Sequence, residues 1–200
     1  MVNNLLIAGS GASIFDVNAI SKSLGKPTFI SNSDINADIN IDWENLNKLE
    51  INKSPTYKIL VLLGGIWSPG RMKSIDSYLL SELLNINAFK QVELIKILKK
   101  KKYLDNKSAV IFISSQSAIT TDFTAPEYSY SKVVAEVMIR DICKLLKINK
   151  LDIIRPSFIE GSNMLNKSTK HFGNNLQRKT ISKTEFMESL NDKIHEIFYS

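Results

Sequence analysis

The sequence predicts a doubly wound α/β domain built on one parallel sheet, and three observations predict it. Short apolar, β-branched segments alternate with amphipathic helical patterns along the whole chain. The apolar segments are continuous, as suits strands covered on both faces by helices. A glycine-rich turn, Gly9-Ser10-Gly11-Ala12-Ser13, directly follows the first of them and opens the first helical pattern. In such sheets that turn aims backbone N–H groups at an anion.

Each element has its own signal. Leu5-Leu6-Ile7-Ala8 is the first strand. The helix after it runs through Ile14, Val17, Ile20 and Leu24 and is stopped by Gly25 and Pro27. Thr28-Phe29-Ile30 is the second strand, and a polar stretch leads to Ala37-Asp38-Ile39 and a short helix over 43–49. Residues 58–63 form the third strand, and 77–102 a long helical region broken near Asn85. The fourth strand is 109–113. A helix over 128–148 places Val133, Val134, Val137, Met138, Ile142, Leu145 and Leu146 on one broad face. The fifth strand is 151–154, and Ser182-Lys183-Thr184-Glu185 reads as a capping box opening a final helix. No repeat or linker interrupts the order, so residues 1–200 are one domain, with the polar 157–175 segment as a candidate substrate lid.

Composition excludes several classes. Hydrophobic residues make up 44% and charged residues 23% of 200 positions, values of a folded chain rather than a disordered one. The apolar run from Ile59 is far shorter than the ~20 residues of a membrane helix. No basic segment precedes the first apolar residues, as a secretory signal requires. Cys143 is the one cysteine, which suits a reducing cytoplasm. The net charge of +6 raises nucleic acid as a partner. However, the lysines concentrate at 99–102 and at Lys144, Lys147 and Lys150, where helix C-termini favour cations, and no aromatics interleave them. They read as solvated helix ends. His171 and His195 lack partners at metal-ligand spacing, so no metal site is expected.

Tyr128 and Lys132 are four apart, which puts both on one face of a helix. Ser115 ends the fourth strand, at the edge where parallel sheets hold their ligands. Together with the glycine turn, Leu62-Leu63-Gly64-Gly65-Ile66, the Asn85-containing helix, Tyr128-Ser129-Tyr130-Ser131-Lys132 and Arg155-Pro156-Ser157, the chain resembles the short-chain dehydrogenase/reductase family over nearly its whole length. The resemblance implies a Rossmann-like fold and oxidoreduction with NAD or NADP. It makes Tyr128 the acid/base residue, Lys132 its partner and a ribose ligand, Ser115 the carbonyl ligand and Asn85 a proton-relay element. It assigns cofactor contacts to Gly9, Gly11, Ser13, Ile14, Asn32, Ser33, Asp38, Ile39, Gly64, Gly65, Pro156 and Ile159. Its members pair through the two long helices, so a homodimer or homotetramer is expected, with a small-molecule substrate and neither nucleic acid nor membrane as partner.

The chemistry suits these residue types. Tyrosine's reference pKa near 10 is too high for a base near neutrality. Lowering it by ~3 units takes about 4 kcal/mol, which an ammonium ~4 Å away supplies at an effective dielectric of ~20. Lys132 is therefore expected to bring Tyr128 toward neutrality, while Ser115 polarises the carbonyl.

The chain also departs from the family's pattern. Ile14, or Ser13 and Phe15 in the other register, stand where glycines belong. Leu62-Leu63-Gly64-Gly65 replaces Asn-Asn-Ala-Gly, and the helix after the second strand is missing. Asn32 and Ser33 fall where an acidic residue would read the NAD ribose or an arginine the NADP phosphate, which leans slightly to NADP. Arg155 to Gly161, and Ser131-Lys132 with Glu136, are similar to the sugar-nucleotide epimerase branch, a second reading. A non-catalytic binding protein with a degraded turn is a third.

Overall fold

Alternate residues of each strand point to opposite faces of a sheet, and here both faces are apolar. A computed structural model describes residues 4–9, 27–32, 37–51, 56–70, 74–173 and 179–199. Six strands, β1 (Leu5–Ala8), β2 (Thr28–Ser31), β3 (Ile39–Asn40), β4 (Ile59–Leu62), β5 (Ala109–Ile113) and β6 (Lys150–Ile154), form one sheet. They pair in the order β3-β2-β1-β4-β5-β6, all parallel. This is the doubly wound order whose reversal lies between β1 and β4, and ligands bind at the strand ends there.

Leu6, Ala8, Leu60, Leu62, Val110 and Phe112 face one side of the sheet. They pack against helices α2 (Lys90–Lys100) and α3 (Pro126–Leu145) through Leu94, Ile95, Leu98, Ala135 and Ile139. Leu5, Ile7, Ile59, Val61, Ile111 and Ile113 face the other side, covered by Phe186, Met187, Leu190 and Ile194 of a C-terminal helix over Lys183–Tyr199. The capping box that opens this helix is formed. The Ser182 N–H donates to Glu185 Oε2 at 2.8 Å, and the Glu185 N–H donates to Ser182 Oγ at 3.1 Å.

The long helical region is α1 (Ser77–Leu84), one wide π turn (Asn85–Phe89) and then α2. In the wide turn the Lys90 N–H reaches back to the Asn85 carbonyl. The break expected near Asn85 is thus an inserted residue rather than an interruption. The broad apolar face expected on α3 is narrower. Ala135, Ile139, Ile142 and Cys143 are buried, whereas Val133, Val137 and Leu145 are exposed. The sheet covers only one stripe of the helix. Segment 157–175 contains β7 (Phe158–Ile159) and α4 (Asn163–Phe172). Strand β7 pairs in parallel with β8 (Thr180–Ile181) beside the main sheet. No described helix is long and apolar enough to cross a membrane. The first predicted helix lies outside the described residues.

Candidate active site

Beyond the C-terminal ends of β4, β5 and β6 lies a cavity of about 450 Å³ whose lining includes Gly65, Trp67, Ser115, Tyr128, Lys132 and Met164. The loop before α3 is pinned by Asp122. Its carboxylate accepts from the Thr124 N–H at 2.9 Å and the Thr124 hydroxyl at 2.6 Å, while its own N–H donates to Ser129 Oγ at 3.0 Å. Pro126 then starts the helix, where a missing N–H and a fixed φ suit the first turn. Tyr128 follows in that first turn and is 5% exposed. Ser115 approaches from the end of β5, its Oγ fixed by the Ser117 N–H at 3.1 Å and close to the Tyr128 hydroxyl. The Tyr128 hydroxyl also faces Met164 Sδ at 4.0 Å. One turn on, Lys132 is 2% exposed, and its Nζ donates to the Ile113 carbonyl at 3.2 Å. Nζ lies 5.0 Å from the Phe112 ring centroid and 5.9 Å from that of Tyr128.

The electrostatics differ from the expectation. Burial pushes the Tyr128 hydroxyl up to about 12, against the Ser115 hydrogen bond and with help from Asp122. Burial likewise pulls Lys132 down to about 8, with Glu136 opposing. Lys132 therefore does not bring Tyr128 toward neutrality here. Both groups are desolvated, and desolvation favours the neutral form of each. At neutral pH Tyr128 holds its proton.

Asn87, two residues past Asn85, is the asparagine bonded to the cavity lining. Asn85 sits at the start of the π turn. Asn87 is fully buried. Its Oδ1 accepts from the Ile66 N–H at 2.8 Å, and its Nδ2 donates to the Ile66 carbonyl at 3.0 Å and to Ser131 Oγ at 2.9 Å. Ser131 Oγ donates on to the Tyr128 carbonyl at 2.8 Å. This chain of bonds locks the segment after β4 to the first turn of α3. The recurrence of Leu83, Asn87 and Gln91 every four residues was the signal in the sequence.

The glycines expected along the strand ends are closely packed, and backbone contact requires glycine at Gly9. Gly9 has φ +142°, and a Cβ there would lie 2.5 Å from Gly64 N. A Cβ on Gly64 would lie 2.6 Å from Gln91 Nε2. At Gly65 it would crowd Asn87 Oδ1 and Lys132 Nζ, both at 3.2 Å. Bare backbone therefore lies beside Lys132 at this edge of the cavity. Pro156 and Ile159 line the same cavity. Asn32 is exposed just past β2. Asp38 and Ile39 are displaced from the expected place. Asp38 precedes β3 and its carboxylate accepts from the Phe29 N–H at 2.9 Å. The end of β3 that faces the crevice is Asn40, with Ile41 bonded to the Ser31 carbonyl at 2.9 Å. Gly11, Ser13, Ile14, Phe15 and Ser33 lie outside the described residues. Cys143 is a core residue, its thiol pushed up to about 11 by burial.

No protein-family model matches the sequence. No curated protein matches it either. Solved structures do resemble it. A short-chain dehydrogenase family protein from Francisella tularensis has a TM-score of 0.74 at 17% identity, covering 95% of this chain and 90% of its own. A short-chain dehydrogenase/reductase from Serratia marcescens has a TM-score of 0.73 at 14% identity, covering 94% and 88%. A short-chain dehydrogenase from Burkholderia cenocepacia, in complex with NADP, has a TM-score of 0.70 at 14% identity, covering 97% and 85%. At these identities the likeness is one of fold.

Proposed function

We propose that the chain is an NAD(P)-dependent oxidoreductase of the short-chain dehydrogenase/reductase type, moving hydride between a nicotinamide cofactor and a small carbonyl or alcohol. One observation carries this reading. Buried Tyr128 and Lys132, with Ser115, line one cavity at the crevice end of a sheet whose fold neighbours are short-chain dehydrogenases. The cofactor supplies or accepts the hydride when bound. Gly9, Gly64, Gly65, Pro156 and Ile159 would border it, with Lys132 at a ribose and Asn40 at the rim. Neutral Asn32 past β2 leaves a phosphorylated ribose unopposed, and two fold neighbours are complexes with NADP or NADPH. NADP is therefore the favoured cofactor.

The chain's own residues divide the remaining work. The Ser115 hydroxyl donates to the substrate carbonyl oxygen. Tyr128, protonated at neutral pH, delivers its proton to that oxygen as negative charge develops. Lys132 holds positive charge beneath the pair. Asn87 keeps Ile66, and with it Gly65, against Lys132. A tyrosine that keeps its proton is in the form that carbonyl reduction uses.

The test is a titration with NADPH and NADH, followed by tryptophan fluorescence and thermal unfolding. Trp67 lines the cavity and reports directly. At 100 times its Kd the cofactor stabilises the fold by about 2.7 kcal/mol. If neither nucleotide quenches Trp67 or raises the melting temperature, the reading fails. With binding in hand, a carbonyl panel under NADPH identifies the substrate.

A further inference from the structure

The buried ammonium of Lys132 lies one helical turn from a carboxylate that is already engaged. Glu136, four residues on along α3, is 8% exposed. Its Oε1 accepts from Arg155 Nε at 2.7 Å and its Oε2 from Arg155 Nη2 at 2.6 Å. Arg155 follows β6 directly, so the pair joins the end of β6 to α3. A fork-to-fork pair of this kind fixes the carboxylate in orientation as well as in charge. Lys132 is left with the Ile113 carbonyl as its direct acceptor.

We propose that Glu136 is a positioning residue that keeps the buried Lys132 side chain cationic, and that Arg155 holds this carboxylate so that it acts across one helical turn without capturing Nζ. The proposal rests on the reading above that the Lys132 charge serves the pocket.

The surroundings support it. Lys132 is faced by Tyr128 and Glu136 from its own helix, by the Phe112 ring and Ile113 carbonyl from β5, by Gly65 after β4 and by Asn87 from the π turn. Glu136 is the charged group that acts on Lys132 against its burial. Burial raises Glu136 itself, yet the Arg155 hydrogen bonds, the nearby Ser114 hydroxyl and the charges of Arg155 and Arg140 hold it below the usual carboxylate range. The carboxylate is thus ionised wherever Lys132 titrates. Were Arg155 absent, the buried carboxylate would lose the cation that balances it, and its full charge would act on Lys132 and Arg140, each four residues away along the helix.

The test is a ¹³C NMR titration of lysine ε-methylenes in the protein alone, with Lys132 assigned by the signal lost in Lys132→Met. The wild type should show one lysine titrating well below the rest. Glu136→Gln should lower the Lys132 proton affinity about tenfold, and Arg155→Met, which frees the carboxylate, should raise it, while Arg155→Lys should leave it near wild type. A Lys132 midpoint unmoved in both folded Glu136→Gln and Arg155→Met would reduce the pair to a clamp between α3 and β6 and overturn the proposal. Glu136→Asp serves where Glu136→Gln does not fold, and should retain the wild-type midpoint. NADPH binding then separates this proposal from the cofactor reading. Glu136→Gln should weaken it at pH 8 and not at pH 6, where Lys132 is charged in both proteins. An equal loss at both pH values contradicts the proposal, whereas a wild type that binds no NADPH contradicts the cofactor reading and leaves the NMR result standing.

Discussion

Replacing Lys132 by methionine should make the protein more stable at neutral pH while disabling it. The ammonium is 2% exposed and titrates at about 8 instead of 10.5. Each unit of such a shift is about 1.4 kcal/mol, so the fold carries a cost of order 3 kcal/mol for holding that charge at pH 7. Methionine fills much the same space and removes the cost. It also gives up the donor to the Ile113 carbonyl, a loss of about 1 kcal/mol. Lys132→Met should then exceed the wild type by about 2 kcal/mol at pH 7. Below pH 8 both folded and unfolded wild type bind the proton, and the full cost is present. Between 8 and 10.5 the unfolded chain still binds a proton that the folded chain has released, so wild-type stability rises with pH relative to the variant. The advantage should shrink across that window, pass through zero within it and reverse to about 1 kcal/mol in favour of the wild type near its top. Tyr128 keeps its proton in the folded state throughout, being raised to about 12. Urea unfolding at pH 7, 8.5 and 10, followed by the fluorescence of buried Trp43 and Trp67, measures the difference directly. A difference independent of pH, or a variant less stable at pH 7, would refute the argument that Lys132 is held there against solvation.

Tyr128→Phe should lower turnover by about 10²–10⁴-fold with NADPH affinity nearly unchanged, and Tyr130→Phe, on an exposed part of the helix, should do little; full activity in Tyr128→Phe on any substrate that the wild type reduces means that the Tyr-Lys pair is structural. Asn87→Ala leaves the Ile66 N–H and carbonyl unpaired and should destabilise by about 2–4 kcal/mol in urea unfolding, with Asn85→Ala well under half of that; equal effects would contradict the assignment of Asn87. Gly9→Ala forces a Cβ against Gly64 backbone at positive φ and should lose at least about 2 kcal/mol, or express only as unfolded protein; a neutral result would remove the close crossing of β1 and β4. Tyr78, Phe89, Tyr130, Val133 and Val137 leave apolar surface exposed on α1, the π turn and α3, and sedimentation should find a dimer at micromolar concentration that Val133→Lys disperses; a wild-type monomer would count against self-association.

The sheet was legible because its strands are continuous runs such as Leu5-Leu6-Ile7-Ala8 and Ala109-Val110-Ile111-Phe112-Ile113, which a polar surface would not tolerate. The meeting of Ser115, Tyr128 and Lys132 at one cavity was legible because the fourth strand end and the helix start lie close in the chain. What failed had local causes. Asn85 and Asn87 differ by two positions, and a break in a helix does not say which of two asparagines turns inward. Asp38 precedes a two-residue strand, too short for periodicity to mark which end meets the crevice. Val133 and Val137 satisfy helical spacing on a stripe that no sheet covers. Helix α4 buries only Ser168 outright, so its polar sequence gave no core signal. The pKa of Tyr128 was misjudged because residue spacing reports charge proximity and is silent on burial, which here dominates.

The wide turn at Asn85–Phe89 also works as a phase correction. Leu79, Leu83, Asn87, Gln91 and Ile95 recur at a strict interval of four, with the last four fully buried and Leu79 packed against the site cluster. In a regular helix a four-residue interval overshoots by about 40° each time, roughly 160° over four steps, which would carry one end of this row to solvent. The inserted residue takes the overshoot back at the middle, so that the leucines beneath Trp67 and the isoleucine against the sheet share one line. It follows that this stretch has a frame. The deletion of a single residue within 85–89 would convert the wide turn to a regular helical turn and leave both halves facing as they do, whereas the same deletion in either flanking helix would turn one half of the rod by roughly 100° against the other and unseat the site from the core.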